Sequence, residues 1–173
     1  MDQLPFPGPI RQFAYVVTDI DESMSRCASV GVGPWFVMRS MPMTGTTYRG
    51  KISEPIITMA LSNSGDMQIE LIQQHNNAPS IYREFLDVGR SGMHHVAYWS
   101  EDFDETMARV AAAGYRTAQF GQPAGTSFAY VDGGPAAEFV EVMQLSEMTR
   151  GFMDHIRDTA ATWDGNEPIR NLG

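Results

Sequence analysis

Two glutamates, Glu70 and Glu141, lie in strand-like stretches whose other residues are largely apolar. Side chains alternate between the two faces of a strand, so Glu70 is turned away from Leu71, which we expect to pack against a helix. Glu141 shares its face with Phe139 and Met143. A carboxylate among apolar residues is costly unless it is paired or bound to a metal ion. Both glutamates are therefore candidates for chemistry.

Two further polar residues, Gln12 and His95, also stand in strand-like stretches. Ala14 and Ala97 follow them two residues later on the same face, and these small side chains leave room above the sheet. Each polar residue has an ordinary explanation by itself: a strand glutamate is usually solvated, a lone histidine is usually a satisfied core residue, and an amide can lie at the surface. Together they are oxygen and nitrogen donors for a divalent ion, and we predict a metal site formed by Gln12, Glu70, His95 and Glu141.

An internal duplication relates these positions. Residues 12–31 and 95–114 align without a gap and share nine identities in twenty positions, which argues against chance similarity between two helix starts. The alignment places Gln12 on His95, and Glu70 and Glu141 fall in the last strands of the two copies. Four donors would then converge about a pseudo-twofold axis.

Each copy predicts a β-α-β-β-β module. In the first copy we expect a helix capped by Asp19 or Asp21 and strands at 10–18, 34–39, 46–62 (interrupted by a loop) and 67–74. In the second copy we expect a helix at 102–113 and strands at 94–100, 115–120, 127–131 and 137–144. Hairpin turns are predicted at 63–66 and 132–135, a short helix at 81–87 and a final helix at 147–160. The tail 163–173 is predicted to be poorly ordered unless Trp163 and Ile169 dock.

The predicted fold class is therefore α+β: two tandem β-α-β-β-β modules that form a shared curved-sheet cleft, followed by a C-terminal helix. We expect a single domain over 1–173, with module one at about 10–75, a linker at 76–91, module two at 92–145 and the helix and tail at 146–173.

Composition excludes several classes of partner. The net charge of −9 disfavours nucleic acid and anionic membranes, and no apolar run approaches the roughly 20 residues of a membrane span. The first residues have neither a basic region nor an apolar core, so no signal peptide is predicted. A single cysteine, Cys27, is typical of a reducing compartment, and we expect a cytoplasmic protein that binds a small-molecule substrate.

The repeated module, with a donor in each first strand and Ile-Glu-Leu and Val-Glu-Val in the last strands, resembles the vicinal oxygen chelate superfamily over about residues 10–145. That superfamily includes glyoxalase I, methylmalonyl-CoA epimerase, extradiol dioxygenases and resistance proteins. The metal positions that the resemblance implies are Gln12, Glu70, His95 and Glu141, a set similar to that of eukaryotic-type glyoxalase I. Gln12 and Glu70 depart from the pattern of the epimerases. His94, next to His95, is predicted to point to the opposite face and to be structural.

The resemblance implies a metal-dependent isomerase, epimerase or lyase that removes a proton next to a carbonyl group through a metal-stabilised enolate. Glu141 would be the base and Glu70 its symmetry mate, and both are predicted catalytic residues. The donor set suits one divalent ion (Zn, Ni, Co, Mn or Mg) and does not choose among them.

The substrate is predicted to be small and apolar or aromatic, with contacts from Trp35, Met38, Tyr48, Met59, Trp99 and Phe128. Val16 and Gln74 stand where glyoxalase I usually carries Arg and Asn, which disfavours a glutathione substrate. The twelve methionines could line an adaptable pocket, although core filling is the default explanation.

Two other functions stay open. The first is a non-catalytic, resistance-type protein that sequesters a hydrophobic compound in the same cleft. The second is an extradiol ring-cleaving dioxygenase, which is disfavoured because only one histidine occupies a matching position. A homodimer is also expected, from the resemblance and from the apolar stripe of Met148, Phe152 and Ile156 on the final helix, although packing on the chain's own sheet is the default explanation of that stripe.

Overall fold

The computed structural model describes residues 4–134 and 137–172. The first copy of the module contains β1 (Gln12–Val16), α1 (Ile20–Ser29), β2 (Trp35–Pro42), β3 (Thr47–Tyr48), β4 (Lys51–Ile52), β5 (Ile56–Ser64) and β6 (Met67–Gln74). A connecting helix, α2 (Ile81–Asp87), precedes the second copy, which contains β7 (Gly92–Ser100), α3 (Phe103–Ala112), β8 (Thr117–Gly121), β9 (Phe128–Gly134) and β10 (Ala137–Gln144). The C-terminal segment forms α4 (Glu147–Ala161) and β11 (Ile169–Asn171). Pro135 of the predicted second hairpin turn lies outside the described residues, as do the first three residues.

Within the described ranges the strands form one mixed sheet, in the order β11-β2-β5-β6-β1-β7-β10-β9-β8-β3-β4, which is not closed into a barrel. The two copies meet at the antiparallel pair of β1 and β7, and each continues outward through its last strand, β6 or β10. The predicted α+β class with two tandem modules around a curved sheet is thereby confirmed.

The connection from β2 to β3 requires the sheet to curl. In the strand order these two strands are eight steps apart, so a flat sheet would separate them by about 38 Å at roughly 4.8 Å a step. The five chain steps from Pro42 to Thr47 span at most about 18 Å. The two sides of the sheet must therefore approach each other and enclose a cleft.

The helices of the two repeats cover the outer face, which we define as the face that carries Leu71 and Val142. Both helices begin at an aspartate whose side chain accepts a hydrogen bond from the backbone three residues later: Asp19 caps α1, and Asp102 caps α3. Helix α1 packs against Leu71 and helix α3 against Val142. The inner face, which carries Gln12, Glu70, His95 and Glu141, is left for α2 and α4.

The predicted interrupted strand at 46–62 divides between the two sides of the sheet. Its second part, β5, pairs with β6 as the module plan requires. Its first part forms the small hairpin β3–β4, and β3 pairs with β8 of the other copy, Thr47 opposite Phe120. The hairpin thus ties the first module to the far edge of the second.

Helix α4 covers part of the inner face of its own chain. Ile156 is fully buried in a cluster with Phe36 and Leu61, whereas Met148 is 67% exposed. Packing on the chain's own sheet therefore accounts for Ile156, and this stripe no longer argues for a dimer. None of the helices in the described ranges is long and apolar enough to cross a membrane.

Ile156→Ala is expected to destabilise the protein by about 2–5 kcal/mol, because it removes a fully buried side chain from a packed cluster. Met148→Ala is the matched control on the same helix and should change the free energy of unfolding by less than about 0.5 kcal/mol. Denaturant unfolding of both variants measures the difference. Equal stability of the two would contradict the packing of α4 on the sheet.

The C-terminal tail docks through both of the residues that the sequence singled out. Ile169 lies opposite Trp35 in the parallel pair of β11 and β2, and Leu172 donates a backbone hydrogen bond to Val37 at 2.8 Å. The Trp163 ring packs so closely on Gly33 that a Cβ at that glycine would lie 2.7 Å from it. The tail is therefore part of the sheet, because Trp163 and Ile169 both dock as an ordered tail requires.

Candidate metal centre

The strand pair at the centre of the molecule carries Gln12 and His95 on one face. In the β1–β7 register Phe13 faces Val96, and the repeat alignment places these same two residues on each other, so the pseudo-twofold axis passes through this pair. The same register sets Gln12 opposite Ala97 and His95 opposite Ala14. Each candidate donor thus has the alanine of the other copy beside it, which provides the space predicted from the sequence.

The two glutamates flank this pair symmetrically. Glu70 on β6 is in register with Ala14, and Glu141 on β10 is in register with Ala97. Since strand neighbours in register point to the same face, the four side chains converge over the two alanines.

The charged groups of the centre lie close together in a buried position. His95 Nε2 is 3.3 Å from Glu70 Oε2 and 3.6 Å from Glu141 Oε2. One potential ligand atom from each of these three residues lies within 4.8 Å of the other two. The exposed fractions are 0% for His95, 5% for Glu70, 7% for Glu141 and 3% for Gln12.

Three of the four residues have a buried polar atom without a hydrogen-bond partner: Gln12 Oε1, Glu70 Oε2 and His95 Nε2. The amide nitrogen of Gln12 donates to Gln68 Oε1 at 2.7 Å, which leaves the amide oxygen as the free atom. Unsatisfied buried polar atoms are costly, and here they are donors that a divalent ion binds. The residues present therefore fit a metal ion.

The buried carboxylates of Glu70 and Glu141 need a positively charged group beside them to balance their charge. Burial alone would lower the pKa of His95, but Glu141 and Glu70 outweigh it and raise the pKa to about 9. Burial raises the pKa of Glu70, the charge of Glu141 raises it further, and His95 opposes both effects. A proton on His95 or a divalent ion can supply the positive charge.

His94 does not point away from His95, so the sequence-based prediction of its orientation is wrong. The β1–β7 register shifts after Ala14, which faces His95, because His94 is an extra residue in a β-bulge. The bulge breaks the strict alternation, and the Nδ1 atoms of His94 and His95 are 3.0 Å apart. Burial, reinforced by His95, lowers the pKa of His94 to about 3.

A cavity of about 320 Å³ opens over the centre. Gln12, Glu70 and Glu141 line its base. Its walls are mainly apolar and come mainly from the sheet and from α4, with Tyr82 of α2. Six methionines contribute to the lining: Met38, Met41, Met43, Met59, Met143 and Met153. These methionines thus line the cavity, and two of them, Met43 and Met153, also belong to the buried core clusters.

Three of the six predicted substrate contacts, Met38, Met59 and Phe128, line this cavity. The other three lie elsewhere, and their prediction is corrected. Trp35 is buried beneath α1 on the outer face, because strand alternation turns Phe36 and Met38 inward instead.

Tyr48 and Trp99 are the remaining two corrections. Tyr48 lies on the β3–β4 hairpin and its hydroxyl donates to Glu84. Trp99 lines a separate cavity, where the Arg11 guanidinium stacks 4.9 Å from its ring centroid. Trp99 packs against the cluster that contains Met153 and Ile156, but the cavity it lines is the one that also contains Asp154 of α4, not the cavity over the centre.

Tyr82 and Tyr130 line the cavity and were not predicted from the sequence. The Tyr82 hydroxyl donates to the Tyr130 hydroxyl at 3.1 Å, and the Tyr130 ring lies edge-on to His95 with 4.9 Å between centroids. Burial raises the pKa of both hydroxyls, so both stay protonated donors. The two-residue period that selected Phe128 also selects Tyr130, whereas the position of Tyr82 depends on the docking of α2.

Divalent metal ions are expected to raise the melting temperature of the metal-free protein. An ion present at 100 times its dissociation constant stabilises the native state by about 2.7 kcal/mol, which corresponds to roughly 5–11 °C for a chain of this size. Thermal unfolding with Zn, Ni, Co, Mn and Mg, each followed by excess chelator, measures this shift. The absence of a chelator-reversible shift with every ion would contradict the metal site.

Comparison with known proteins adds two findings. Residues 11–130 match a family model described as the glyoxalase/bleomycin resistance protein/dioxygenase superfamily. No curated protein sequence is significantly similar to the chain.

Solved structures with low sequence identity share the fold. A hypothetical protein from Bacillus halodurans C-125 is 17% identical with a TM-score of 0.56, covering 80% of this chain and 95% of its own. Methylmalonyl-CoA epimerase from Mycobacterium tuberculosis is 14% identical with a TM-score of 0.54, covering 82% and 91%. A selenomethionine methylmalonyl-CoA epimerase is 18% identical with a TM-score of 0.50, covering 80% and 95%.

Proposed function

Because the chain belongs to the glyoxalase/bleomycin resistance protein/dioxygenase superfamily, we propose that it is a metal-dependent isomerase, epimerase or lyase. The proposed reaction moves a proton on the carbon next to a carbonyl group of a small, apolar or aromatic substrate. The observation that carries this proposal is the buried cluster of Glu70, His95 and Glu141, with unsatisfied ligand atoms, at the base of an apolar cavity.

The proposed ligands of the ion are Gln12, Glu70, His95 and Glu141. A divalent ion held there would act as a Lewis acid toward two neighbouring oxygens of a substrate and so make the adjacent C–H more acidic. Zn, Ni, Co, Mn and Mg all suit a set of two carboxylates, one amide oxygen and one imidazole.

Glu141 is proposed as the base that accepts the proton, and Glu70 as the second carboxylate that can return it. The two residues are in register with Ala97 and Ala14, on opposite sides of the central strand pair. Carboxylates placed on two sides of a bound carbon can remove a proton from one face and deliver it to the other, as an epimerisation requires.

The cavity supports a substrate with an apolar body. Its described lining contains no lysine or arginine, and its volume of about 320 Å³ is near the lower end of small-molecule sites. The polar part of a substrate would then be recognised at the base of the cavity, where the Tyr130 hydroxyl offers an additional donor.

Two cationic side chains that could meet a phosphate or carboxylate group of a substrate, Arg49 and Arg90, have acidic partners. Arg49 bonds Glu84 and Asp132, and Arg90 pairs with Glu138. These pairs give no support to a phosphate or carboxylate group on the substrate.

A second candidate function is a non-catalytic protein that sequesters an apolar compound, and the methionine-rich wall favours it. The ring-cleaving dioxygenase is less favoured, because both nitrogens of the second histidine, His94, already face other groups: His95 and the Ile81 carbonyl.

Metal analysis together with solvent deuterium exchange tests the proposal. The purified protein is expected to contain a stoichiometric divalent ion and to exchange the α-proton of a small aryl ketone or thioester with solvent. Binding of such a compound without exchange, in metal-loaded protein, would favour the sequestering function. Fe(II) with oxygen uptake would favour the dioxygenase.

We also propose a homodimer, on the family resemblance alone. Sedimentation at micromolar concentration should then give about twice the chain mass of 19.2 kDa, and a species of the chain mass would count against it.

A further inference from the structure

The ring nitrogens of His94 form a continuous polar link from the metal centre to α2. His94 Nδ1 is 3.0 Å from His95 Nδ1, and His94 Nε2 is 3.2 Å from the Ile81 carbonyl oxygen in the first turn of α2. Both histidines are fully buried. His94 is not one of the proposed metal ligands, so its two contacts need a separate explanation.

The Ile81 carbonyl at one end of this link fixes the direction of both hydrogen bonds. A carbonyl oxygen can only accept, so the hydrogen between His94 and Ile81 must be on His94 Nε2. The His94 ring is packed among the rings of Tyr82, Phe85 and Phe139, and no described carboxylate forms an ion pair with it. A neutral imidazole is therefore favoured, and its Nδ1 carries a lone pair.

That lone pair accepts a hydrogen bond from His95, so the proton between the two histidines is on His95 Nδ1. The other nitrogen, His95 Nε2, is the atom that lies 3.3 Å from Glu70 and 3.6 Å from Glu141. In the reverse arrangement, the His94 Nε2 lone pair would face the Ile81 carbonyl, and a neutral His95 would carry its hydrogen on Nε2, which could not bind a metal ion.

We propose that His94 is a positioning residue that holds His95 as the Nδ1–H tautomer and aims Nε2 at the metal position, using the Ile81 carbonyl as its anchor. This inference rests on the metal site of the proposed function. Outer contacts of this kind orient a ligating histidine and raise its basicity. The anchor also links the centre to α2, whose Ile81 backbone N–H is bound by Gln119 Oε1 at 3.2 Å.

Long-range ¹⁵N–¹H correlation spectra of the histidine rings test the hydrogen-bond direction without any substitution. We expect His94 to be the Nε2–H tautomer in the metal-free and in the zinc-loaded protein. In the zinc-loaded protein we expect a proton on His95 Nδ1 and zinc on Nε2. A His94 ring with its proton on Nδ1, or zinc on His95 Nδ1, would overturn the inference.

Two variants of His94 test the consequence for affinity. His94→Leu removes the acceptor and is expected to weaken zinc binding by about 10–100-fold. In His94→Asn the side-chain oxygen can accept from His95 Nδ1–H, and this variant is expected to restore most of the affinity. Phe85→Leu is the packing control, because Phe85 contacts the His94 ring 4.9 Å away but takes no part in the link.

The affinities decide between positioning and packing. Zinc affinity that falls equally in the Leu and Asn variants, or as far in Phe85→Leu, would overturn the positioning role. A zinc-loaded wild type that shows these tautomers and affinities but exchanges no substrate proton would contradict the proposed catalysis and leave the His94 inference standing. If the wild type binds none of the divalent ions, the proposed metal site fails and the positioning role of His94 is overturned with it.

Discussion

Glu141→Gln is expected to lower the rate of proton transfer by about 10²–10⁴-fold, because it removes the proposed base. Glutamine is nearly isosteric, and its carbonyl oxygen can still bind a metal ion, but it cannot accept a proton at neutral pH. Glu141 is buried in the register position beside Ala97, so a side chain of the same shape should preserve the packing. The loss should therefore appear in turnover rather than in substrate binding.

Solvent deuterium exchange into a bound ketone or thioester, measured beside the metal content, checks this prediction. Glu138→Gln is the matched control, since Glu138 lies on the same strand but pairs with Arg90 at the surface. Exchange at the wild-type rate in metal-loaded Glu141→Gln would exclude Glu141 as the base and assign the role to Glu70. Exchange in none of the proteins, wild type included, would favour the sequestering function.

His95→Ala is expected to remove metal binding and activity together, because it deletes the nitrogen ligand of the proposed set. Substitution of a residue that only contacts a metal ligand already weakens metal affinity by about 10–100-fold. Loss of the ligand itself should therefore weaken it by more than about 100-fold. The substitution also leaves Glu70 and Glu141 facing each other without the positive charge that His95 supplies. Lower stability of the metal-free variant should accompany the loss.

Zinc titration and metal analysis of His95→Ala measure the effect, with His155→Ala as the control. His155 is an exposed residue of α4 and should leave the metal content unchanged. Retention of a stoichiometric ion in His95→Ala would refute the site as assigned. A parallel loss in His155→Ala would point to general destabilisation instead.

The sequence alone determined the plan of the molecule and the faces of its central strands. The ungapped repeat required Gln12 and His95 to be equivalent, and the two-residue period turned Glu70 away from Leu71, and Glu141 away from Val142, on their own strands. Period and repeat are properties of the covalent chain and of local backbone geometry, so they can be recognised without knowing which strands pair. The capping aspartates Asp19 and Asp102 are local in the same sense.

Other features were decided only by tertiary structure, because they depend on contacts between segments that are distant in the chain. The bulge that brings His94 beside His95 arises in the pairing of β7 with β1, and the sequence of β7 does not specify that register. Trp35 was assigned to the substrate by its type, but the position of β2 turned it beneath α1.

The residues that form the walls of the cavity could likewise not be predicted from the sequence alone. Tyr82 reaches the centre only because α2 docks on the inner face, and the methionines line a pocket only because the sheet curls and α4 crosses it. Apolar side chains are drawn to any buried surface, since the hydrophobic effect is non-directional. Composition therefore predicted that these residues would be buried, whereas the surface they share was set by the packing of helices and strands around the centre.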